Sequence, residues 1–350
     1  MAAGVTIMAL ALTLTACGTQ ENTGSTESVK STETVENTEN MKSTETVENT
    51  ETVKGTETVE STETIENAEI IEAMVSESVA PQGTANVTPQ MQPVEYTNLQ
   101  QITLDSTWEY ADHSKINTGA AVLYPASEES GRKGIVIGVN AGHGTAGGAK
   151  VKTLCHPDGS AKVTGGSTAA GATEAVAVSG GMTFQDGTPE REVTLRMAQI
   201  LRDKLLTSGY DVLMLRDSED VQLDNVARTV ICNNVADCHI ALHWDSGDGK
   251  NYDKGCFYIS VPEALKTMEP VASHWQQHDT LGTDLVEGLR EQGTMIYGKG
   301  NMSIDLTQTS YSTIPSVDME LGNAYSDHSD VVLEQLATGL LAGINTYFEQ

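Results

Sequence analysis

The stretch "IVIGVNAGHG", residues 135–144, joins an apolar segment to a histidine that stands between two glycines. Residues 135–139 are apolar and mostly β-branched, which is typical of a buried strand, and the glycines allow a sharp turn where it ends. In open α/β sheets, ligands bind at the carboxyl ends of the strands. The stretch therefore predicts a strand that presents His143 at a binding edge, and a histidine in an ordinary turn is the alternative.

Beyond this strand, helix and strand patterns alternate to the end of the chain. A buried helical face is predicted from apolar residues spaced i, i+4, i+7, i+8 and i+12, and a left-handed glycine at Gly209 ends that helix. These residues are Val193, Met197, Ile200, Leu201 and Leu205. The other predictions are strands at 212–215, 240–243 and 257–261, and helices near 223–233, 280–292 and 330–347. The alternation predicts an α/β domain of about 220 residues, a mostly parallel sheet flanked by helices on both faces.

Four polar residues fall near the ends of these elements: His143, Glu190, His243 and Glu320. Two imidazoles and a carboxylate are donors that a catalytic zinc ion prefers, and such a set leaves one position open for water. The remaining carboxylate is free to move protons. Because the residues follow or begin successive elements, we expect all four to converge above one edge of the sheet.

At these residues the chain resembles the zinc-dependent N-acetylmuramoyl-L-alanine amidases of the bacterial cell wall, from about Ile135 to the C-terminus. The resemblance implies a phosphorylase/hydrolase-like α/β fold, with Zn²⁺ bound by His143 of the Gly-His-Gly motif, by Glu190 and by His243. It also implies that Glu320 of the Glu-Leu-Gly segment is the catalytic residue. Between Glu190 and His243, Arg216 matches the family's arginine-acid run and Arg228 matches its later arginine. No substrate-binding residue is predicted.

The chain departs from the family pattern at Asn140-Ala141, Asp245 and Asn323, and none of these changes removes a ligand. A larger departure is the 47-position separation of His143 and Glu190, which the family usually connects by a short loop. The insertion, residues 145–189, is rich in glycine and small residues. It is predicted either to shape or cover the substrate site or to be a tolerated surface insertion.

The function implied is hydrolysis of the amide bond between the lactyl group of N-acetylmuramic acid and the L-alanine of peptidoglycan stem peptides, by zinc-activated water. Two alternatives remain open at this point. One is a zinc peptidase that cuts peptidoglycan cross-links, and the other is a surface lipoprotein that binds glycan without cutting it. The zinc amidase domain is expected to span 134–350, preceded by an N-terminal arm at 99–133 with a possible strand at 120–124.

The first third of the chain does not have a globular composition. Residues 1–17 have the apolar core of a signal peptide and end in Leu14-Thr15-Ala16-Cys17, which resembles a lipobox whose cysteine becomes lipidated; an ordinary secretory signal with an incidental cysteine is the alternative. Residues 18–98 repeat Thr-Glu every six residues and hold sixteen glutamates and three lysines, so they carry −13 of the formal charge of −29. These features predict an extracellular, lipid-anchored protein with a disordered acidic linker, which has no reason to bind nucleic acid.

Several other polar residues are weaker candidates. Cys155-His156 lacks a second ligand pair at a recognised metal-site spacing, and His239 is expected to pack in the interior. The four cysteines after residue 98 are compatible with disulfides or with free thiols. No Gly-x-Ser-x-Gly motif is present, so serine hydrolysis is not expected.

Overall fold

In a computed structural model of the chain, residues 96–246, 249 and 251–349 are described. The predicted signal segment with Cys17, and residues 18–95 of the predicted linker, lie outside the described residues. Among the described helices, none combines the length and the apolar character needed to cross a membrane.

Every predicted strand and helix is found among the described residues, and further elements that were not predicted lie between them. The strands are β1 (Gln100–Ile102), β2 (Ala121–Tyr124), β3 (Val136–Ala141), β4 (Lys152–Leu154), β5 (Glu174–Val176), β6 (Asp211–Met214), β7 (Cys238–Asp245), β8 (Cys256–Ser260), β9 (Ile296–Ser303) and β10 (Ser316–Asn323). The α-helices are α1 (Glu190–Thr207), α2 (Asn225–Val235), α3 (Val271–Glu291), α4 (Thr307–Tyr311) and α5 (Asp330–Phe348).

Eight of the strands form one sheet in the order β1-β2-β6-β3-β7-β10-β8-β9. The pairs β6–β3, β3–β7, β7–β10 and β8–β9 are parallel, whereas β1–β2, β2–β6 and β10–β8 are antiparallel. The predicted fold class is confirmed: a mostly parallel sheet lies between helices. The parallel strands at its centre, β6, β3, β7 and β10, end at one common edge.

Helices cover both faces of this sheet because its central strands are apolar on both sides. In β6, Val212 and Met214 pack in the larger core with α1, α3 and α5. Leu213, on the opposite face, packs against α2 in a second core, and Tyr311 of α4 joins α2 in a third cluster. The sheet is therefore packed against hydrophobic residues on both faces, and its carboxyl edge is left for the site.

The predicted helical face of α1 is confirmed, because all five of its apolar residues are buried. Gly209 follows the helix with φ of 84°, a left-handed conformation that glycine adopts without a steric cost. The helix predicted near 280–292 begins earlier than expected, at Val271. Residues 273–280 are mostly polar, so apolar periodicity is visible only in the second half of α3.

The segment 99–133 contributes two strands to the main sheet. The strand predicted at 120–124 is found as β2, and it pairs antiparallel with β6. β1 then pairs antiparallel with β2 and forms the edge of the sheet.

Candidate active site

The turn after β3 brings its backbone very close to His243 of β7. A Cβ atom added at Gly142 would lie 2.2 Å from Cε1 of His243, so only glycine fits there. His143 has a positive φ of 66°, which is uncommon for a residue with a side chain and is often found at functional sites. Gly142 therefore allows the turn to approach His243, and Gly144, on the other side of His143, leaves space for Arg216, which a Cβ atom there would meet at 2.5 Å.

Two buried arginines hold the carbonyl groups of this turn. Arg216 donates to the carbonyls of Ala141 and Gly142 at 3.1 and 3.0 Å. Arg228 donates to the carbonyl of His143 at 2.7 Å and to Oδ1 of Asn140 at 3.0 Å. Burial lowers the pKa of Arg216 to about 10 and that of Arg228 to about 9, yet both remain charged at neutral pH. Their contacts give both arginines a positioning role in the site.

The other departures from the family pattern also have local partners. Asp245, at the end of β7, pairs with Lys254. The side-chain amide of Asn323 donates to the carbonyl of Tyr252 at 3.0 Å. Asp245 and Asn323 therefore stabilise the loops beside the site, and neither of these two contacts involves His143, Glu190 or His243.

Three of the predicted site residues converge on one point. His143 Nε2 lies 2.8 Å from Glu190 Oε1, and His243 Nδ1 lies 3.1 Å from His143 Nε2 and 3.2 Å from Glu190 Oε1. The two imidazole planes are perpendicular, with ring centroids 4.6 Å apart. His143 follows β3, Glu190 begins α1 and His243 lies near the end of β7, so the convergence occurs at the carboxyl edge of the sheet.

The hydrogen bonds behind these atoms determine which atoms face inward. Nδ1 of His143 lies 3.0 Å from the carbonyl oxygen of Ser179, which can only accept, so Nδ1 carries the proton and Nε2 presents its lone pair. Oε2 of Glu190 accepts from the backbone N–H of Met182 at 2.8 Å, and Oε1 accepts from that of Trp244 at 3.1 Å. Electron pairs of a carboxylate and an imidazole thus point at each other.

Such an arrangement requires a proton or a cation between the donors. Ligands of a tetrahedral zinc ion at about 2.0–2.1 Å from the metal lie about 3.3 Å apart, and the observed separations are slightly shorter. Two imidazoles and a carboxylate are also a donor set that zinc uses in catalytic sites. Among the described residues, these three form the cluster whose donor atoms could hold a metal ion, and their chemistry fits zinc.

The charged forms of the carboxylate and the imidazoles in this cluster stabilise one another. Burial alone would raise the pKa of Glu190, but the imidazoles of His143 and His243, when they are protonated, outweigh burial and lower the pKa below its ordinary value. Burial disfavours the charged form of His243, yet the carboxylates of Asp318 and Glu190 raise its pKa to about 10. The site is thus one that stabilises a positive charge among its three donors.

Glu320 stands next to this cluster on the neighbouring strand. In the parallel pairing of β10 with β7, Glu320 is in register with His243. Its Oε2 atom is buried and has no hydrogen-bond partner among the described residues. Burial, reinforced by the charge of Asp318, raises the pKa of Glu320 well above its ordinary value. A carboxyl group in this environment is suited to accept and return a proton.

The four residues open into a cleft of about 590 Å³, which is within the range of ligand-binding sites. Much of one wall comes from the insertion, whose strands β4 and β5 form a separate antiparallel pair. The wall includes Lys162, residues 165–168 and residues 179–182. Through Ser179 and Met182, the insertion also contacts two of the three converging donors. It is therefore an integral part of the site wall.

A buried contact between a histidine and an aspartate attaches this insertion to the loop after β9. His156 Nε2 lies 2.9 Å from Asp305 Oδ1, and both side chains are fully buried. Nδ1 of His156 lies 2.8 Å from Oγ of Ser160, and the N–H of Val163 donates to Asp305 Oδ2 at 2.8 Å. Lys162 donates to the Asp305 carbonyl. Nothing in the sequence paired Asp305 with His156, because the two residues are 149 positions apart.

The remaining candidates are buried. His239 is fully buried on β7, in agreement with the expected interior packing, and burial lowers its pKa to about 3. The four cysteines of the described residues are free and buried, so no disulfide forms among them. Cys155 accompanies His156 in the insertion but is absent from the metal-ligating cluster.

Comparison with known proteins identifies the family of this chain. The sequence profile of the N-acetylmuramoyl-L-alanine amidase family matches residues 137–342. No curated protein sequence matches the chain significantly.

Two solved structures have the same fold. The apo amidase Ami1 of Mycobacterium abscessus matches with a TM-score of 0.50 and 19% identity, over 61% of this chain and 99% of that one. Ami1 of Mycobacterium smegmatis matches with a TM-score of 0.52 and 16% identity, over 62% and 97% of the two chains.

The α/β fold, which in this chain has a cleft at the carboxyl edge of its sheet, is shared with these two amidase structures. Because the family match spans more than half of the sequence, the chain belongs to the N-acetylmuramoyl-L-alanine amidase family. The resemblance predicted from the residues, and the peptidoglycan amidase function that it implies, are confirmed. These matches favour neither the peptidase alternative nor the non-catalytic one.

Proposed function

We propose that the chain carries out its amidase reaction with a zinc ion held by His143 Nε2, Glu190 Oε1 and His243 Nδ1, and with Glu320 as the proton carrier. The observation that carries this proposal is the convergence of the three donor atoms within 3.2 Å of one another, at the wall of the cleft that Glu320 also lines. A cluster of facing electron pairs is favourable only when a proton or a metal cation lies among them, and this donor set is one that zinc prefers.

The bond to be broken joins the lactyl carbonyl of N-acetylmuramic acid to the nitrogen of L-alanine. Zinc bound to these side chains supplies Lewis acidity, which polarises a carbonyl group and makes water a stronger acid. Glu320 accepts a proton from the attacking water and returns it to the alanine nitrogen as the carbon–nitrogen bond breaks. Proton transfer of this kind contributes about 10²- to 10⁴-fold to a rate.

Other residues keep the donors in place during this reaction. The carbonyl of Ser179 holds the proton of His143 on Nδ1, so that Nε2 remains available. The N–H groups of Met182 and Trp244 orient the two oxygens of Glu190. Arg216 and Arg228 support the turn behind His143 through its carbonyl groups. These contacts fix the positions of the ligands before substrate binds.

The experiment is digestion of purified peptidoglycan with the full chain, followed by mass spectrometry of the products. An amidase releases stem peptides with a free amino group on L-alanine and leaves a free lactyl carboxyl group on the glycan. A peptidase instead cuts between amino acids and leaves that amide intact. Glycan binding without new end groups would contradict catalysis, and Glu320→Gln serves as the inactive control.

We also propose that the protein is an extracellular lipoprotein that is anchored through Cys17 and reaches peptidoglycan from the membrane surface. The support is the Leu14-Thr15-Ala16-Cys17 sequence after an apolar segment, a site of lipid attachment in the motif it resembles. The test is metabolic labelling with a fatty-acid analogue. Label and membrane association should both be lost in Cys17→Ser, and persistence of both would contradict the proposal.

A further inference from the structure

A second buried carboxylate, that of Asp318, lies on the far side of His243 from the converging donors. Asp318 is on β10, two residues before Glu320, so both side chains project from the same face of the sheet. It is only 9% exposed. Its Oδ2 atom lies 3.7 Å from Nε2 of His243, and its Oδ1 atom has no hydrogen-bond partner among the described residues.

The pairing of the two strands produces this contact. In the parallel register, Asp318 lies beside Ala241 and Glu320 lies beside His243. The side chain of Ala241 is a single methyl group, so it leaves space between Asp318 and the imidazole two residues further along β7. The two acids therefore lie two positions apart on one face of β10: Asp318 contacts the imidazole of His243, and Glu320 is in register with that residue.

His243 has a chemical need for an acceptor at this position. Its Nδ1 atom faces His143 and Glu190, so Nδ1 is the nitrogen that would donate an electron pair to a metal. A neutral imidazole that donates through Nδ1 carries its proton on Nε2, and Nε2 faces Asp318. Histidine ligands of metals usually donate their second ring N–H to a carboxylate or a carbonyl. The carbonyl of Ser179 has this role for His143.

We propose that Asp318 is a positioning residue for the metal centre: it accepts the Nε2 proton of His243 and so directs Nδ1 toward the metal. This proposal rests on the proposed zinc site. It gives the two buried acids of β10 different tasks, because Asp318 orients a ligand whereas Glu320 moves protons. The 3.7 Å separation of Oδ2 and Nε2 is longer than a hydrogen bond, so the proposal requires these two atoms to approach each other by about 0.7 Å when the metal binds.

The test compares the zinc affinity of full-length variants, measured at neutral pH by competition with a chromophoric chelator. Asp318→Ala should bind zinc about 10- to 100-fold more weakly than the unaltered protein, because loss of such a partner typically has that effect. Asp318→Asn keeps an acceptor oxygen without the charge and should fall between the two. Activity of Asp318→Ala should recover as zinc is added, whereas Glu320→Gln should keep its zinc and stay inactive.

Asp211→Asn is the matched control. Asp211 is a buried acid at the start of β6, away from the carboxyl edge of the sheet, and it pairs with Arg132. It should lower thermal stability without changing zinc affinity. If Asp318→Ala lowers thermal stability as Asp211→Asn does, Asp318→Asn still tests the proposal, because it preserves the size of the side chain. Rescue of zinc affinity by the asparagine variant alone would indicate that the acceptor oxygen, more than the charge, positions His243.

Unchanged zinc affinity in both Asp318 variants would overturn the proposal. Loss of activity that added zinc does not restore would also overturn it, since Asp318 would then take part in proton transfer. Failure of the underlying zinc site gives a different result. In that case His143→Ala and the unaltered protein would bind zinc equally weakly, whatever stands at position 318.

Discussion

Two buried clusters of histidine and carboxylate border the same cleft, and they differ in whether their polar atoms have hydrogen-bond partners outside the cluster's own donor atoms. In the cluster of His156 and Asp305, Nδ1 meets Ser160 and Nε2 meets Asp305, whose other oxygen accepts from the N–H of Val163. In the cluster of His143, Glu190 and His243, the donor atoms instead converge on each other.

The comparison shows that residue type does not identify a metal site. Both clusters contain the imidazoles and carboxylates that bind zinc, and both lie near a conspicuous sequence motif. What separates them is whether each electron pair already has a proton donor. A closed network stabilises the fold, whereas facing electron pairs favour a cation. We therefore expect variants of the two clusters to fail in different ways.

The largest effect is expected from removal of a metal ligand. His143→Ala or His243→Ala should lose zinc, and activity should fall by about 10³-fold or more, because Lewis acidity contributes several kcal/mol to the transition state. Elemental analysis after dialysis measures the zinc content, and muramyl-peptide turnover measures the activity. Full zinc occupancy in both variants would show that the ligands have been assigned incorrectly.

Glu320→Gln should separate catalysis from metal binding. The amide cannot accept a proton at neutral pH, so turnover should fall by at least about 10²-fold while zinc content and thermal stability persist. Glu190→Gln is the comparison variant and should lose zinc together with activity. Loss of zinc from Glu320→Gln would mean that Glu320 is itself a ligand.

Variants of the His156 cluster should lower the stability of the protein without changing its zinc affinity. His156→Ala leaves the buried carboxylate of Asp305 without one of its donors, which typically costs about 1–3 kcal/mol in the free energy of unfolding. Denaturant unfolding at neutral pH measures this loss, and zinc affinity should be unchanged. A variant that unfolds normally but loses zinc would contradict the distinction between the two clusters.

The smallest effect is a pH dependence of the same cluster. Burial alone would raise the pKa of Asp305, but hydrogen bonds from His156 and Val163 outweigh it and lower the pKa below its ordinary value. Its contribution to stability is therefore present above the unfolded-state pKa of about 4 and is lost as the pH falls through the lower folded-state value.

The matched variant is Asp305→Asn, which cannot titrate at position 305. The difference in unfolding free energy between the unaltered protein and this variant should decrease as the pH falls below about 4. Denaturant titrations at a series of pH values measure this difference. A difference that stays constant across that range would show that Asp305 contributes no titrating carboxylate.

Much of the fold and the cluster of four site residues could be predicted from the sequence, because the relevant signals are local. The apolar spacing from Val193 to Leu205 predicted the buried face of α1, and all of those residues are buried. The run at 135–139 predicted β3 and the turn that holds His143. The resemblance assigned His143, Glu190, His243 and Glu320, and the structure brings all four to one cleft.

Tertiary structure alone decided which distant residues meet. The sequence contains no signal that β10 lies between β7 and β8, because strand order depends on long-range pairing and hydrophobic periodicity reports only which faces are buried. That strand order brings Asp318 to His243, and the folding of the insertion brings His156 to Asp305. The sequence determined which residues could bind a metal, whereas the structure decided which of them already have a hydrogen-bond partner, because partners are set by positions in space.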